Sequence, residues 1–369
     1  MCGLAGAITD GPALPKVYKI LDGLKYRGTD SYGLLSIKDN GIIEDNIKGL
    51  GSLDNLDISC LGPCKAGLSI GHVRWATTGE VNKENCHPIK NGHYYVVLNG
   101  IIGNYRDLQS CLRFEGYEFK TDGDTEVIPA LLSMYDNLGI PFQKACERLE
   151  GQYAFLAVSP KYPNAILAAC NGSPIYVTPE GFISSDIQSL AGLSTKCRKL
   201  PDNSPVIITK TSLLYFTYNI DIPSENPQAN TTQDIMFTEI YQQLYAKVPD
   251  ILFDNWVGNT KYDEIVIFGC GSSYYAGLLG QIFIEELVKT RCTVRYAADL
   301  QYHDLSLYSD RTLFIGITQS GETADTLQVL KKLKDRDTLV MTNNNMSQAA
   351  TLAKNVIYLD CGTERAVAS

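Results

Sequence analysis

A chain of 369 residues, 44% hydrophobic and 20% charged, is long enough for two domains that each bury a core. Its net charge of −9 excludes a basic nucleic-acid-binding surface and polyanionic partners, but not a small anion held by backbone N–H groups and hydroxyls. The N-terminus lacks the basic and apolar regions of a secretory leader, and the uncharged stretch 265–284 is too rich in glycine for a membrane span, so a cytoplasmic location without membrane contact is expected.

In chain order, 4–9 reads as a short strand, 16–24 as a helix, 26–31 as a loop and 34–37 as a strand. Another strand, 65–73, runs into the loop 74–79. The β-rich run 93–98 closes on Asn99-Gly100, a turn signal. Helices are predicted at 106–114, at 125–135 with Asp124 as N-cap, and at 141–149, followed by strands at 152–159 and 165–169. Many short strands with few helices predict a sheet-rich layered domain with helices on its outer faces. A polar segment with two prolines then marks a linker, giving a first domain at 1–221, a linker and connecting helix at 222–240, and a second domain at 241–369. Strands at 264–268, 292–297, 312–316, 338–342 and 356–359 alternate there with helices, the rhythm of a doubly wound parallel sheet.

Eleven cysteines contain no CxxC pair, and Cys60 and Cys64 have no matching second pair. His72, His87, His93 and His303 form no i,i+4 pair, so no metal site is expected and free thiols in a reducing compartment are the simplest account. Cys2 follows the initiator methionine directly. Removal of Met1 leaves a thiol and a free α-amino group, of pKa near ~8, on one residue, so the amine can serve as the base for the thiol. Gly3 adds no side chain to crowd that centre. The plain alternative is that position two happens to be cysteine.

Other residues supply possible partners for this chemistry. Arg74, just past a strand end, suits either a bidentate carboxylate clamp or a structural ion pair. Asp124 suits a substrate ammonium or an N-cap, and Asn99-Gly100 an oxyanion hole or a hairpin turn. A carboxylate clamp, an ammonium partner and an oxyanion hole are what an α-amino acid amide requires. In the second domain two strand-to-helix turns, Gly271-Ser272-Ser273 and Thr318-Gln319-Ser320-Gly321-Glu322-Thr323, are rich in hydroxyls and glycine. At the carboxyl edge of a parallel sheet they suit a phosphate monoester, and they carry neither a P-loop lysine nor a third dinucleotide-type glycine.

The ordered set Cys2-Gly3, Tyr26-Arg27-Gly28-x-Asp30-Ser31, Arg74-Trp75-Ala76-Thr77-x-Gly79, His87-Pro88, Asn99-Gly100 and Asp124-Thr125-Glu126 resembles the class II glutamine amidotransferases. Gly269-Cys270-Gly271-Ser272-Ser273 and Gln319-Ser320-Gly321-Glu322-Thr323, continued by Gly362-Thr363-Glu364 and Val367-Ala368-Ser369, resemble a sugar isomerase (SIS) domain. The two in this order are similar to the glutamine:fructose-6-phosphate aminotransferases, or glucosamine-6-phosphate synthases. The resemblance implies an N-terminal-nucleophile αββα sandwich followed by a doubly wound SIS domain. It implies Cys2 as nucleophile and, through its amine, base, with Asn99 and Gly100 as oxyanion hole. Arg74, Asp124 and Thr77 would hold L-glutamine, Trp75 would gate the ammonia passage, and Arg27 and Gly28 would line the nucleophile pocket. Ser273, Thr318, Gln319, Ser320 and Thr323 would hold the phosphate of fructose 6-phosphate, with Val367 and Ser369 close to the sugar.

The resemblance implies no cofactor, and it implies a homo-oligomer, dimer or tetramer. The chain departs from the family at Leu98 and Thr78, where histidine is usual, at Gly103, where glutamate is usual, and at Thr318, commonly serine. The synthases continue into a second SIS domain that supplies the isomerising groups, so this chain by itself is expected to act only as a glutaminase. The alternatives are a sugar-phosphate-binding regulatory protein with an inactive glutaminase domain, or an amidotransferase making phosphoribosylamine or asparagine. The Thr318–Thr323 loop speaks against the last of these.

Overall fold

The computed structural model of the chain describes residues 2–57, 64–75, 80–222, 262–344 and 347–359. Two compact units divide it, Met1–Asn230 and Thr231–Ser369. Beyond Ile222, the expected linker and connecting helix lie outside the described residues.

Two antiparallel sheets form the first unit. One has eight strands, in the order Ile220–Asp221, Lys196–Lys199, Tyr176–Val177, Phe182–Ser184, Gly3–Ile8, Leu68–Arg74, Ser31–Ile37 and Ile43–Leu50. The other has five: Val206–Ile208, Ile166–Asn171, Gly151–Val158, Tyr94–Ile102 and Ile89–Asn91. Strand side chains alternate between faces, and that period builds the layers. From Gly3–Ile8, Leu4 and Ile8 join the core shared with Tyr95 and Val97 of the second sheet, while Ala5 and Ala7 face helix Leu14–Asp22. On the far side, Tyr94, Val96 and Leu98 pack on Leu108, Leu112, Ile128 and Leu131 of helices Tyr105–Phe114 and Val127–Asn137. The result is the αββα sandwich that the resemblance implies.

Helix Leu14–Asp22 shows how sequence builds one of these layers. Leu14, Val17, Ile20 and Leu21 recur at helical spacing, a proline occupies the first turn, and all four apolar side chains are buried. Each contributes roughly 1.5–3 kcal/mol of burial free energy. Two expectations fail in this unit. Asn99-Gly100 is no hairpin turn, because strand Tyr94–Ile102 runs through it in register with Gly151–Val158. Asp124 is no N-cap, because helix Val127–Asn137 starts later and takes Glu126 at that position.

In the second unit five parallel strands lie in the order Arg291–Tyr296, Glu264–Gly269, Thr312–Ile317, Asp337–Thr342 and Asn355–Tyr358. Apolar residues from both faces of these strands are buried. Val266, Phe268 and Phe314 pack on helices Ala297–Leu300 and Ala324–Lys332, while Ile265, Ile267 and Ile315 fill the opposite face. Gly277 of helix Ser272–Phe283 covers that second face, where an added Cβ would sit 3.0 Å from Ile267. The strand order reverses at Glu264–Gly269, so the crevice between its carboxyl end and that of Thr312–Ile317 is the switch point where open α/β sheets bind ligands. Among the described residues no helix is long and apolar enough to cross a membrane.

Candidate active site

Cys2 enters the first sheet just before Gly3–Ile8, beside the end of Leu68–Arg74, because Gly3 pairs with Val73. A Cβ on Gly3 would meet Val73 Cγ2 at 2.7 Å and Leu24 Cβ at 2.8 Å, so a glycine there lets the chain end nest against its neighbours. The Cys2 thiol donates to Trp75 O at 3.3 Å, and the Trp75 N–H donates to Cys2 Sγ at 3.3 Å. Burial pushes the Cys2 thiol up, against the lowering influence of the Trp75 N–H and the Arg74 charge. A neutral thiol needs a base at the moment of attack.

Cys2 opens on a narrow cleft whose walls include Arg74, Trp75, Gly100 and Asp124. These residues come from strand ends and loops of both sheets. Buried Arg74 donates from Nη1 to Glu80 O at 3.1 Å. The Asn85 amide donates to Glu80 O at 2.9 Å and to Asp122, and holds the Asp122 carboxyl below its usual range. Asp124 accepts the Ile102 N–H at 2.7 Å, which fixes its loop to the end of the strand that carries Asn99 and Gly100. Gly100 has φ +94°, and a Cβ there would lie 2.1 Å from Gln152 O, so only glycine fits this bend within the strand.

Arg27 and Gly28 sit at the edge of this arrangement. The Arg27 guanidinium donates to Asp186 Oδ2 at 2.7 Å and to Tyr26 Oη at 2.9 Å, and the Tyr26 hydroxyl donates to Asp186 at 2.6 Å. Arg27 is therefore turned into a half-buried cluster. Gly28 touches the backbone behind the cleft, where a Cβ would lie 2.5 Å from the Arg74 carbonyl carbon. Thr77 lies outside the described residues.

In the second unit both hydroxyl-rich turns flank the switch point. Thr318 Oγ1 lies 3.1 Å from Thr323 Oγ1 and accepts the Gly321 N–H at 3.2 Å, while Ser320 Oγ accepts the Glu322 N–H at 3.2 Å. Asn343 N–H donates to Gln319 O at 3.0 Å, tying this loop to the next strand end. Gly321 has φ +68°, and a Cβ there would lie 2.1 Å from Ser347 Oγ. Thr323, the residue capping helix Ala324–Lys332, makes no side-chain cap bond, so helix capping does not account for its hydroxyl. A Cβ on Gly269 would lie 3.1 Å from the Ser273 Cβ, so a glycine there leaves room for the turn that carries Ser273. Val367 and Ser369 lie outside the described residues.

The family model described as a glutamine amidotransferase domain matches residues 62–205, and that of the SIS domain matches residues 260–369. The chain is similar to the glutamine–fructose-6-phosphate aminotransferase (isomerizing) of Clostridium perfringens, 34% identical over 405 positions that take in 100% of this chain and 66% of the relative. The protein of the same name from Francisella tularensis is 34% identical over 370 positions, 91% of this chain and 60% of the relative. The chain belongs to the glutamine amidotransferases that carry a SIS domain. It spans less than two thirds of the length of these curated relatives.

The amidotransferase unit contains one group of polar residues that sequence reasoning passed over. His72 Nε2 lies 3.1 Å from Asn99 Oδ1, His72 Nδ1 lies 3.1 Å from His87 Nδ1, and His87 Nε2 lies 3.1 Å from Thr125 Oγ1. Their signal was available. His72 shares the inward-facing parity of Leu68 and Ile70, and Asn99 that of Tyr95 and Val97, which aims both into the space between the sheets. Burial drives the His72 ring down to about 3 and the His87 ring well below its usual value. Both are neutral at neutral pH. His87 borders the cleft, but both its nitrogens are engaged, so it does not offer a base to Cys2. Among the described residues one group has metal-ligating geometry, Glu44, Asp45 and Cys64, but Glu44 already pairs with Lys38 at 3.0 Å and accepts the Lys65 and Ala66 N–H groups at 2.7 Å.

Proposed function

We propose that the amidotransferase unit hydrolyses L-glutamine to glutamate and ammonia through Cys2, and that the complete protein delivers the ammonia to fructose 6-phosphate to form glucosamine 6-phosphate. The observation that carries this reading is the convergence of the Cys2 thiol, the Arg74 cation, the Asp124 carboxylate and Gly100 on one cleft. An α-amino acid side-chain amide is the substrate that answers this set. Arg74 clamps its carboxylate and Asp124 takes its ammonium. The thiolate attacks the amide carbon, and the carbonyl oxygen becomes an oxyanion bound by the Asn99 side-chain amide and the Gly100 N–H. Removal of Met1 frees the Cys2 amine, which accepts the thiol proton and returns it to the departing nitrogen, releasing ammonia. Water then cleaves the γ-glutamyl thioester to glutamate, regenerating the thiol. Trp75 and Thr77 shape the exit for ammonia and the glutamine pocket, and Arg27 and Gly28 support the nucleophile from behind.

The SIS unit binds the sugar phosphate through Ser273, Thr318, Gln319, Ser320 and Thr323, with Val367 and Ser369 close to the sugar. The two loops beside the switch point support this role. The names of the relatives support fructose 6-phosphate as the acceptor. We expect a homo-oligomer in the cytoplasm. The nine described cysteines are all free, which suits a reducing compartment. Glutamate release by the purified chain, compared with Cys2→Ala, tests the reading. The wild type should turn over and the variant should not, and equal rates would refute it. Intact-mass measurement must also find Met1 absent, since a retained methionine blocks the amine.

A further inference from the structure

We infer that His72 and His87, with Thr125, form a buried hydrogen-bonded relay that holds the Asn99 side-chain amide with its N–H end toward the Cys2 nucleophile. The inference rests on the glutaminase reading and adds positioning residues to it. An oxyanion hole needs its donors aimed before the charge develops. An asparagine amide can present either end, and nothing in its own geometry selects the N–H. What selects it is a donor fixed on the carbonyl oxygen, and His72 Nε2 stands 3.1 Å from Asn99 Oδ1.

The proton count along the relay follows from the contacts. Two facing Nδ1 atoms at 3.1 Å share one proton. His72, His87, Asn99 and Thr125 are each at most 7% exposed, so an added charge there has no water to solvate it. Each ring therefore carries one N–H. With Asn99 Oδ1 on His72, the protons run in one direction. The Thr125 hydroxyl donates to His87 Nε2, His87 Nδ1–H donates to His72 Nδ1, and His72 Nε2–H donates to Asn99 Oδ1, leaving the Asn99 Nδ2 hydrogens for the substrate. The Leu98 N–H also points at His87 Nδ1, at 3.5 Å, a weaker second contact beside the 3.1 Å one. Gly33 keeps this arrangement close-packed, since a Cβ there would lie 1.9 Å from His87 O. Thr125 is the neighbour of Asp124, so the relay joins the loop that receives the substrate ammonium to the group that receives the oxyanion.

The test uses the purified chain and steady-state glutamate release. His72→Leu should lower kcat about 100-fold or more, as loss of an oxyanion donor does, with KM for glutamine changed less than about 3-fold. His72→Gln, which keeps a donor, should restore kcat to within about 10-fold of wild type. Turnover that depends on Cys2 but stays within about 3-fold in folded His72→Leu overturns the relay alone. No turnover by the wild type overturns the glutaminase reading and the relay with it. If His72→Leu does not fold, ¹⁵N-histidine NMR of the wild type decides. A proton on His72 Nε2 and on His87 Nδ1 upholds the relay, and a bare His72 Nε2 overturns it.

Discussion

Asp186→Asn is the substitution for which the structure sets a magnitude. Asp186 Oδ2 accepts from Arg27 at 2.7 Å and from Tyr26 at 2.6 Å, and Oδ1 accepts the Gln188 N–H at 3.0 Å. Asparagine keeps the shape and an acceptor for Gln188, but sets an NH2 donor where Oδ2 accepted from Arg27 and Tyr26, so the change removes the charge together with those two acceptor contacts. The two side chains are 18% and 11% exposed, and removing one partner leaves the Arg27 cation enclosed without its counter-charge. Breaking such a pair costs about 3–5 kcal/mol, and the residual exposure puts this case near the lower end. For a unit of this size about 3 kcal/mol is a fall in Tm of roughly 6–12 °C.

The pH dependence follows from the same cluster. Burial raises the Asp186 carboxyl, but Arg27, Tyr26 and the Gln188 N–H outweigh it, so its folded pKa lies below the unfolded value. The stability it supplies is present above an unfolded pKa of ~3.9 and is lost as pH falls through the folded pKa. The gap in Tm between wild type and variant should therefore be constant above pH ~5 and close in stronger acid. Scanning calorimetry from pH 3 to 8 measures it. Since Gly28 abuts the Arg74 backbone, KM for glutamine should rise in the variant as well. A variant that melts within 2 °C of wild type at pH 7 refutes the argument, and Arg27→Met added to Asp186→Asn should recover part of the loss.

Other substitutions probe the cleft and the proposed sugar-phosphate loops. Gly100→Ala puts a Cβ 2.1 Å from Gln152 O at φ +94°, and glutaminase kcat should fall by about 100-fold or more. Asp124→Asn keeps an acceptor for the Ile102 N–H but loses the charge. Its kcat/KM should fall about 10- to 150-fold, mostly through KM, in steady-state assays. Thr318→Val strips the Gly321 N–H of its acceptor, and calorimetric affinity for fructose 6-phosphate should weaken at least about 5-fold.

Much of the framework is legible in the sequence because period and spacing carry it. Parallel strands Glu264–Gly269 and Thr312–Ile317 are short apolar runs leading into glycine- and hydroxyl-rich turns, and all five strands of that sheet appear where expected. Strand Ile43–Leu50 escapes notice because it lies half-exposed along its length and carries Glu44, Asp45 and Lys48. The pairs at 176–221 are too short to show alternation. At the site, Asn99-Gly100 has the composition of a turn, and only tertiary pairing with Ala154 and Tyr153 keeps it in a strand. Asp124 has the composition of an N-cap, but its carboxylate is taken by Ile102 on another strand. Arg27 and Asp186 are 159 positions apart, and no local pattern joins them. His72 and His87 are individually unremarkable, and their meaning lies in a contact between rings that spacing does not encode.

The placement of Asn99 and Gly100 within a strand has a consequence for how the enzyme fails. Arg74 and Asp124, the proposed glutamine contacts, lie at a strand end and in a loop, whereas Asn99 and Gly100 are paired within the ladder to Gly151–Val158. Local opening is easiest where a segment is held by few backbone hydrogen bonds and costs more along a continuous ladder. On warming, the protein should first lose its grip on glutamine and only later its power to polarise the amide, so that saturating substrate preserves turnover almost to the melting point.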